Sequence, residues 1–280
     1  MTQQLTTILS IAASDPMGGA GIQQDVRLGN ALGAHVVTAI TGITVQNSKG
    51  FYNIVPVSSQ LLRDQLNVIM EDVTPDAIKI GMIGDVYNID IIATFLMRFN
   101  SIPVIIDPVV QSTVNDFSKK KSSVDSSLNE KERMNLQESY KKKLFPLATV
   151  ITPNLKEFNQ IFGEEFNPLK DYSVLCKNLG LNAIIATGGD TSGDEIDDFL
   201  ISGEEIVTFN HKKKECFNLH GTGCSLSTLL AVELANGEDL KNAFLNASSH
   251  MEDIINKSCN YQLGMSKYGP LNVYNYKLHN

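Results

Sequence analysis

The strongest local pattern for chemistry is the run HGTGCSLSTLLAVELANG, residues 220–237, in which a glycine-rich turn leads directly into an amphipathic helix. Gly221 and Gly223 permit backbone conformations that other residues rarely adopt. The amides of Thr222, Gly223 and Cys224 can therefore converge on an anion at the positive end of the helix. In phosphoryl transfer, such donors stabilise charge on the moving phosphoryl group. The alternative interpretation is a simple glycine-containing helix start.

Cys224 falls in the first turn of this helix. A helix N-terminus lowers the pKa of a thiol, which would bring thiolate into reach near neutral pH. The thiol could then act as a base or a hydrogen-bond acceptor for a substrate hydroxyl. The alternative is an inert cysteine packed in a half-apolar helix.

A second glycine-rich segment, SDPMGGAGIQQD at 14–25, follows the first predicted strand and opens the first helix. Gly18, Gly19 and Gly21 resemble a phosphate-binding turn, but their spacing matches neither G-x-G-x-x-G nor the P-loop. The glycines therefore indicate only a turn that a ligand can approach closely.

Four polar side chains stand at the ends of predicted elements. Asp25 and Gln46 could bond a planar heterocycle, and helix capping or surface placement is the alternative for each. Asp107 ends the strand PVIIDP and Glu157 opens a helix in TPNLKE, where open α/β sheets bind ligands. They are candidate magnesium partners, with helix capping as the alternative for either one alone.

Composition limits the remaining possibilities. The 280 residues, 42% of them apolar and 19% charged, can bury the core of a single domain spanning 1–280. A formal net charge of −8 argues against a broad basic surface for nucleic acid, so an anionic ligand would be held by local dipoles and a few cations. The four cysteines lie at spacings that match no redox or zinc motif, which predicts reduced thiols. The sequence has no signal-like or membrane-spanning run, which predicts a cytoplasmic protein that does not insert into a membrane.

Short β-branched runs alternate with helix-like segments, which predicts a βαβα order and a mainly parallel sheet. Several of the runs are apolar almost throughout, as expected for strands covered on both faces. The predicted strands are 6–13, 36–45, 76–83, 103–110, 148–152 and 183–189. The predicted helices are 20–32, 58–72, 87–98, 154–162, 170–180, a helix from Gly221 to near Gly237, and 238–257.

Two segments depart from this alternation. Residues 197–210 indicate a hairpin turning at Gly203, which would add antiparallel strands at one edge of the sheet. The segment 112–143 is rich in Ser and Lys and has few apolar residues, so it cannot contribute much core. We expect 112–127 to be a mobile loop, either a solvated insertion or a lid over a nucleotide, and 128–144 to form a polar surface helix.

Taken in chain order, seven segments resemble the hydroxymethylpyrimidine and phosphomethylpyrimidine kinase family of the ribokinase-like superfamily. The resemblance runs from about residue 5 to 273, and the combination is far more specific than any one piece. The segments are IAASDPMGGAGIQQD, TVQN, KIGMIGD, IIDPVV, VITPNLKEF, ATGGD and HGTGCSLS. Many relatives in the wider superfamily place aspartate where this chain has Cys224, and cysteine is found in pyrimidine and some pyridoxal kinases.

The resemblance implies a three-layer α/β fold and ATP-dependent phosphorylation of 4-amino-5-hydroxymethyl-2-methylpyrimidine, of its monophosphate, or of both, in thiamin biosynthesis. It further implies Mg2+ as cofactor and a homodimer. The implied substrate-binding residues are Asp25, Gln46, Met82 and Val109. The implied catalytic residues are Cys224, facing the hydroxymethyl group, and Gly221, Thr222 and Gly223 of the anion hole. The implied residues around Mg-ATP are Asp107 and Glu157 at the metal, with Asn154, Thr187 and Gly189 at the nucleotide.

Three departures from the family pattern bear on the phosphate site and the substrate. The first strand ends Ala12-Ala13-Ser14 where the family usually has a glycine, so the substrate would sit slightly differently. The usual lysine after the DPV strand is missing, and Thr187 stands where many members carry lysine. By elimination, the candidate cations are those of the long loop, Lys119, Lys120 and Lys121.

Two other functions compete with this one. A pyridoxal or pyridoxine kinase of the same fold would bind a similar planar heterocycle with a CH2OH group. A catalytically silent ligand-binding regulator is suggested by the missing lysines.

Overall fold

The computed structural model describes residues 5–109, 130–167, 170–189, 193–214, 216, 218–260, 262–264, 269–274 and 276. Its strands are β1 Thr7–Ser14, β2 His35–Asn47, β3 Gly50–Pro56, β4 Ala77–Ile80, β5 Val104–Ile106, β6 Val150–Ile151, β7 Ile184–Ala186, β8 Glu195–Ser202 and β9 Glu205–Lys212. Its α-helices are α1 Gly21–Ala31, α2 Ser59–Asp72, α3 Val86–Leu96, α4 Glu130–Ser139, α5 Leu155–Phe162, α6 Ser173–Leu179, α7 Thr222–Ala235 and α8 Leu240–Ser258. A π-helical turn, Tyr140–Leu144, and a 3-10 turn, Phe145–Leu147, follow α4.

All strands of the described chain join one sheet in the order β3-β2-β1-β4-β5-β6-β7-β8-β9. The central pairs from β2 to β7 are parallel, whereas β3, β8 and β9 run antiparallel to their neighbours. This confirms the predicted α/β fold with a mostly parallel sheet and the hairpin that turns at Gly203. The antiparallel strand β3, at the opposite edge, was not predicted.

The sheet separates two apolar cores, which makes three layers. Alternate residues of β1 point to opposite faces, so Leu9 and Ile11 enter one core and Ile8 enters the other. The first core is closed by α2, α3, α5 and α6, which contribute Leu62, Leu66, Ile89, Ile92, Phe158, Ile161 and Cys176. The second is closed by α1, α7 and α8, which contribute Leu28, Leu229, Leu230, Phe244 and Ile254.

The helix in the polar segment differs from its prediction. A helix does form at Glu130–Ser139, but Leu136, Tyr140 and Leu144 are buried in the first core. Spacings of four residues put these three side chains on one face, so a narrow apolar stripe anchors an otherwise polar helix. The expectation of a purely surface helix was therefore wrong. The predicted mobile loop, 112–127, lies outside the described residues.

Helix α7 also departs from its prediction. It was expected to be amphipathic, yet every residue from Ser225 to Glu233 is buried, because α1, α8 and the sheet surround it. A helix enclosed in this way holds its N-terminal turn in one position. In the part of the chain that the structure describes, every helix is too short or too polar to span a lipid bilayer.

Candidate active site

The carboxyl ends of the parallel strands bring several predicted site residues to one edge of the sheet. Asp107 follows β5, Asn154 follows β6 and Thr187 follows β7. Asn154 and Thr187 form a parallel bridge that extends the pairing of their strands. Ligands of open α/β sheets bind at this edge, so the placement fits the sequence prediction.

The glycine-rich turn at the start of α7 lies against Asp107. Gly221 adopts a left-handed conformation with φ of 88°, and α7 begins at Thr222. The first intrahelical bond is donated by the amide of Ser225 to the carbonyl of Gly221, at 2.8 Å, so the amides that precede it are available to a ligand. A Cβ built on Gly223 would lie 3.6 Å from Oδ2 of Asp107. The backbone amides at the start of α7 and the carboxylate of Asp107 therefore lie close together.

The two glycine-rich turns pack directly on each other. A Cβ at Gly221 would lie only 1.7 Å from the carbonyl oxygen of Gly19, and its φ already favours glycine. A Cβ at Gly21 would lie 2.1 Å from the carbonyl oxygen of Ala13. The sequence indicated a turn open to close approach by a ligand. The structure shows that the close neighbour of Gly19 is the backbone of the second turn.

Asp15 fixes the first turn and joins it to the second. Its buried carboxylate accepts hydrogen bonds from the amides of Met17, Gly19 and Ala20 at 2.8, 3.0 and 2.8 Å. Nε2 of His220 lies 3.1 Å from Oδ2 of the same carboxylate. Burial alone would raise the pKa of Asp15, but His220 and the amides outweigh it and lower that pKa. Sequence reasoning did not identify Asp15 or His220.

A buried ion pair lies beneath these turns. Nζ of Lys79, in β4, is 2.9 Å from both carboxylate oxygens of Asp25, in α1. Ser10 and Thr228 also donate to this carboxylate, at 2.5 and 2.9 Å. The hydroxyl of Thr228 is in addition 2.7 Å from the carbonyl of Cys224, which connects the pair to the first turn of α7.

This pair changes the interpretation of Asp25. Its carboxylate is 1% exposed and accepts four hydrogen bonds from side chains of the protein. Direct contact between Asp25 and a heterocycle stays a prediction. Lys79 was missed, although a lysine inside the apolar strand AIKIG signals a buried partner. Burial would lower the pKa of Lys79, but the charge of Asp25, followed by that of Asp107, raises it above its ordinary value.

The environment of Cys224 is opposite to the one expected. Cys224 is partly exposed as a residue, but desolvation of its thiol, followed by the negative charges of Asp107 and Asp25, raises the pKa of that thiol to about 12. Lys79 and the amide of Gly21 act in the opposite direction but are outweighed. The prediction of a thiolate near neutral pH was therefore wrong.

Asp107 is a third buried carboxylate in this region, after Asp15 and Asp25. Burial and the charge of Asp25 raise its pKa to about 6, against the lowering effects of Lys79, Cys224 and Ser227. Its Oδ2 atom is buried and has no hydrogen-bond partner among the described residues. A carboxylate oxygen of this kind can bind a hard cation such as Mg2+, which uses one or two carboxylates and completes its shell with water and phosphates. The described chain holds no group of three His, Cys, Asp or Glu side chains that would bind a metal alone.

Asn154 and Glu157 begin α5 with a capping box. The amide of Glu157 donates to the Asn154 side chain at 2.8 Å, and the amide of Asn154 donates to Oε2 of Glu157 at 3.0 Å. Helix capping, the alternative considered for Glu157, is thus observed. Thr187 exchanges backbone hydrogen bonds with Pro153 and Leu155, and Gly189 is exposed beyond β7. The roles of these residues toward Mg-ATP stay predictions.

The residues predicted to bind the heterocycle lie near the place where β2 extends past β1. Gln46 is half-buried, and its Nε2 donates to the hydroxyl of Thr44 at 3.1 Å. The hydroxyl of Thr41 donates to the carbonyl of Met82 at 2.6 Å, which ties β2 to the segment after β4. Met82 and Val109 are both partly exposed at the carboxyl edge. The structure thus brings Gln46 and Met82 onto connected elements.

Comparison with known proteins shows matches along almost the whole chain. The model of the phosphomethylpyrimidine kinase family matches residues 15–272. A hydroxymethylpyrimidine/phosphomethylpyrimidine kinase of Staphylococcus aureus is 32% identical over 96% of this chain and 93% of its own length. The "Probable thiamine biosynthetic bifunctional enzyme, chloroplastic" of Oryza sativa subsp. japonica is 28% identical over 94% of this chain, which spans 46% of that relative.

A solved structure gives the same architecture. The ADP complex of Bacillus subtilis pyridoxal kinase superposes with a TM-score of 0.80 at 29% identity, covering 96% of this chain and 97% of that one.

Proposed function

The chain belongs to the phosphomethylpyrimidine kinase family, and from that membership we propose that it is the ATP-dependent kinase for 4-amino-5-hydroxymethyl-2-methylpyrimidine, for its monophosphate, or for both in sequence. The reaction belongs to thiamin biosynthesis, in agreement with the name of the rice relative. The Bacillus neighbour binds ADP, which supports an adenine nucleotide as the phosphoryl donor.

The observation that carries this proposal is the contact between the N-terminal turn of α7 and Asp107. The glycine-rich turn presents backbone amides, and Asp107 presents a buried carboxylate 3.6 Å from the Cβ position of Gly223. Phosphoryl transfer requires donors for the charge on the moving group and a site for the cation that accompanies the nucleotide. The proximity of the backbone amides and the carboxylate supports the proposal.

The magnesium ion fits this site because Asp107 offers a buried oxygen without a partner in the described chain. We propose Asp107 as its ligand, with Glu157 as the second carboxylate. When bound, the cation neutralises phosphate charge. Asn154, Thr187 and Gly189 are proposed to contact the nucleotide, because they lie at the ends of the neighbouring strands β6 and β7.

Cys224 is proposed to position the substrate hydroxymethyl group as a neutral thiol. A pKa of about 12 leaves little thiolate at neutral pH, so strong general-base catalysis by this residue is not expected. A loose phosphoryl transition state needs orientation and charge stabilisation more than proton removal. We propose that the amides of Thr222, Gly223 and Cys224, turned by Gly221, stabilise the phosphoryl charge.

The heterocycle is proposed to bind between Gln46, Met82 and Val109. The side-chain amide of Gln46 can bond ring nitrogens or the exocyclic amine. Asp25 is proposed to act from beneath this pocket through its ion pair with Lys79.

A direct assay tests the function. Purified protein with Mg-ATP is incubated with hydroxymethylpyrimidine, with its monophosphate, or with pyridoxal, and both ADP release and the mass of the product are measured. We expect turnover with at least one pyrimidine substrate. Absence of ADP release with both pyrimidines would contradict the proposal.

The pyridoxal kinase alternative is favoured by the close structural match to the Bacillus enzyme. Competition between pyridoxal and hydroxymethylpyrimidine, compared as kcat/KM ratios, separates the two. Turnover of any substrate would end the hypothesis of a catalytically silent regulator.

We further propose a single domain that forms a homodimer, with the cytoplasm as the location expected from the sequence. Ile43, Val45 and Val55 are more than half exposed on the outer face of the β2–β3 ribbon, where Ile43 pairs directly with Val55. An exposed apolar face of this kind is typical of a subunit interface. Light scattering of the wild type and of Val45→Glu tests it, since a dimer through this face would dissociate.

A further inference from the structure

The loop that follows β7 is held by a side chain of the next strand. The amide of Gly188 donates a hydrogen bond to Oδ1 of Asp198, in β8, at 2.9 Å. Asp198 is 9% exposed, and Gly188 is buried, so this bond is removed from water. Aspartate is rarely buried unless its charge has partners, and here one partner is a backbone amide just beyond the end of β7. The bond therefore ties the loop to the adjacent strand.

The second carboxylate oxygen is bound by a histidine of β9. Nε2 of His211 lies 3.3 Å from Oδ2 of Asp198. The hydrogen bond and the charge of Asp198 raise the pKa of His211, against the lowering effect of burial. The charges of Glu252, in α8, and Asp197 raise that pKa further. Because His211 holds one oxygen, the other is directed at Gly188.

The loop backbone also packs closely on β8. A Cβ built on Gly188 would lie 2.4 Å from the carbonyl oxygen of Asp197, so this approach requires glycine. On the other side of the loop, Thr187 forms a parallel bridge with Asn154. The loop is thus fixed by backbone pairing toward β6 and by the carboxylate of Asp198 toward β8.

Strand alternation places this anchor on the face of the sheet that carries the proposed phosphoryl site. Ile185 of β7 and Leu200 of β8 both belong to the second core. Side chains two residues apart on a strand share a face, so Thr187 and Asp198 point to that same side. The second core is closed by α7, whose N-terminal turn lies against Asp107. The loop anchored by Asp198 therefore begins on the face where the nucleotide is proposed to bind.

We propose that Asp198 is a positioning residue for the adenine nucleotide, because it holds the backbone of residues 187–189 in the conformation that contacts this ligand. The inference rests on the proposed function, in which Thr187 and Gly189 contact the nucleotide. Asp198 acts through the loop, since its two oxygens are bound by Gly188 and His211. A loop that is anchored in advance loses less conformational freedom on binding, which increases affinity.

The competing explanation is that Asp198 only stabilises the edge hairpin. β8 and β9 pair along their whole length. The neighbouring Asp197 has such a hairpin contact on the opposite face, where its carboxylate accepts a hydrogen bond from Asn210 at 2.8 Å. A purely structural role would lower the stability of Asp198 variants without weakening one ligand more than the other.

The test uses Asp198→Leu, which removes the acceptor at similar volume, and Asp198→Asn, which keeps an oxygen for the amide of Gly188. The Kd of ADP with Mg2+ and the Kd of 4-amino-5-hydroxymethyl-2-methylpyrimidine are measured separately by isothermal titration calorimetry. Urea unfolding in parallel shows that each variant is folded. The matched control is Asp197→Leu, which removes the exposed hydrogen bond with Asn210 from the adjacent position of the same strand.

We expect Asp198→Leu to raise the Kd of ADP about tenfold, as for one lost hydrogen bond, with the Kd of the pyrimidine unchanged. Asp198→Asn and Asp197→Leu should bind ADP as the wild type does. The inference would be overturned by wild-type ADP affinity in Asp198→Leu, by an equal loss for both ligands, or by an equal loss in the leucine and asparagine variants.

These measurements need no turnover, so they separate the inference from the proposed function. Selective loss of ADP binding in Asp198→Leu, in a protein that phosphorylates neither pyrimidine, would support the role of Asp198 and contradict the proposed substrate. Wild-type ADP affinity in Asp198→Leu, with turnover of a pyrimidine by the wild type, would leave the kinase function intact and remove Asp198 from the nucleotide site.

Discussion

The ammonium nitrogen of Lys79 lies 2.9 Å from each carboxylate oxygen of Asp25, and both side chains are about 1% exposed. Removing two charges from water is costly, and replacing such a pair with apolar residues is often neutral or stabilising. Here the pair connects β4, α1 and α7 through Thr228, directly below the turn proposed to stabilise the phosphoryl group. Its location indicates that the pair fixes the geometry of that turn.

Lys79→Met should destabilise the protein by about 3–5 kcal/mol, because it leaves the buried carboxylate of Asp25 without its counter-charge. Urea unfolding measures this loss. The double variant Lys79→Met/Asp25→Leu should recover most of the stability but not the activity. Lys241→Met, which breaks the exposed pair with Glu205, is the control and should leave the midpoint unchanged. A Lys79→Met variant as stable as the wild type would show that the ion pair with Asp25 does not contribute to stability.

Asp107→Asn should stabilise the metal-free protein in a pH-dependent manner. The pKa of Asp107 is raised from 3.8 to about 6, so ionisation opposes folding, and wild-type stability falls as pH rises between these values. The difference between variant and wild type should grow from near zero at about pH 4 to about 2–3 kcal/mol at pH 7. Urea unfolding with EDTA at both pH values checks it. A difference independent of pH would contradict the ionisation argument.

Gly221→Ala should abolish activity and strongly reduce stability, because its Cβ would overlap the carbonyl oxygen of Gly19. Gly237→Ala is a matched control, since Gly237 has nearly the same φ of 92° but no atom within 4 Å of the added Cβ. The control isolates left-handed backbone strain, about 1–2 kcal/mol. We therefore expect near-normal kcat in Gly237→Ala. Equal stability of the two variants would show that the turns can separate without cost.

Much of the architecture could be predicted from the sequence because buried parallel strands leave apolar runs that are easily recognised. The hairpin at Gly203 was found for the same reason, together with a turn residue. Strand β3 was missed because GFYNIVP has neither strict alternation nor a uniformly apolar character, and its pairing depends on the length of β2. The buried stripe of Leu136, Tyr140 and Leu144 was hidden by the lysines and serines around it.

The candidate site shows a different limit of sequence reasoning. Local spacing identified the turn at Gly221, since glycine and helix signals are adjacent in the chain. The pKa of Cys224 depends on Asp107, Asp25 and Lys79, which come from three other parts of the chain, so no local rule could give its direction. Asp15 and His220 likewise become partners only through the packing of the two turns.

Cys224→Ser should keep kcat within about tenfold of the wild type, whereas a thiolate base would be worth about 10²–10⁴. The reason is that a pKa of about 12 makes the thiol a neutral hydrogen-bonding group, which a hydroxyl can replace. Alkylation of Cys224 by iodoacetamide at pH 7.5 should accordingly be slower than that of N-acetylcysteine and should accelerate with rising pH. Peptide mass spectrometry follows the reaction. Fast labelling at neutral pH, with loss of kcat in the serine variant, would contradict the neutral thiol and support a thiolate base.

Gln46→Ala should raise the KM for the pyrimidine while leaving the KM for ATP nearly unchanged. A lost hydrogen bond leaves polar ligand atoms unpaired, at a cost of about 1–3 kcal/mol. Steady-state kinetics with each substrate varied in turn measure the effect. Asn47→Ala, at the adjacent exposed position, serves as the control. An unchanged KM for the pyrimidine would remove Gln46 from the pocket.

The contact between Gly19 and Gly221 has a consequence for biosynthesis. The ribosome releases the first turn early and the second about 200 residues later in the 280-residue chain, so the two turns cannot meet until synthesis is almost complete. Strands β1, β2 and β4 can already pair in the growing chain, because all three precede residue 81. A nascent polypeptide arrested before α7 would therefore carry much of the sheet but not the contact between the two turns, and we expect the enzyme to acquire activity only in the last stage of its translation.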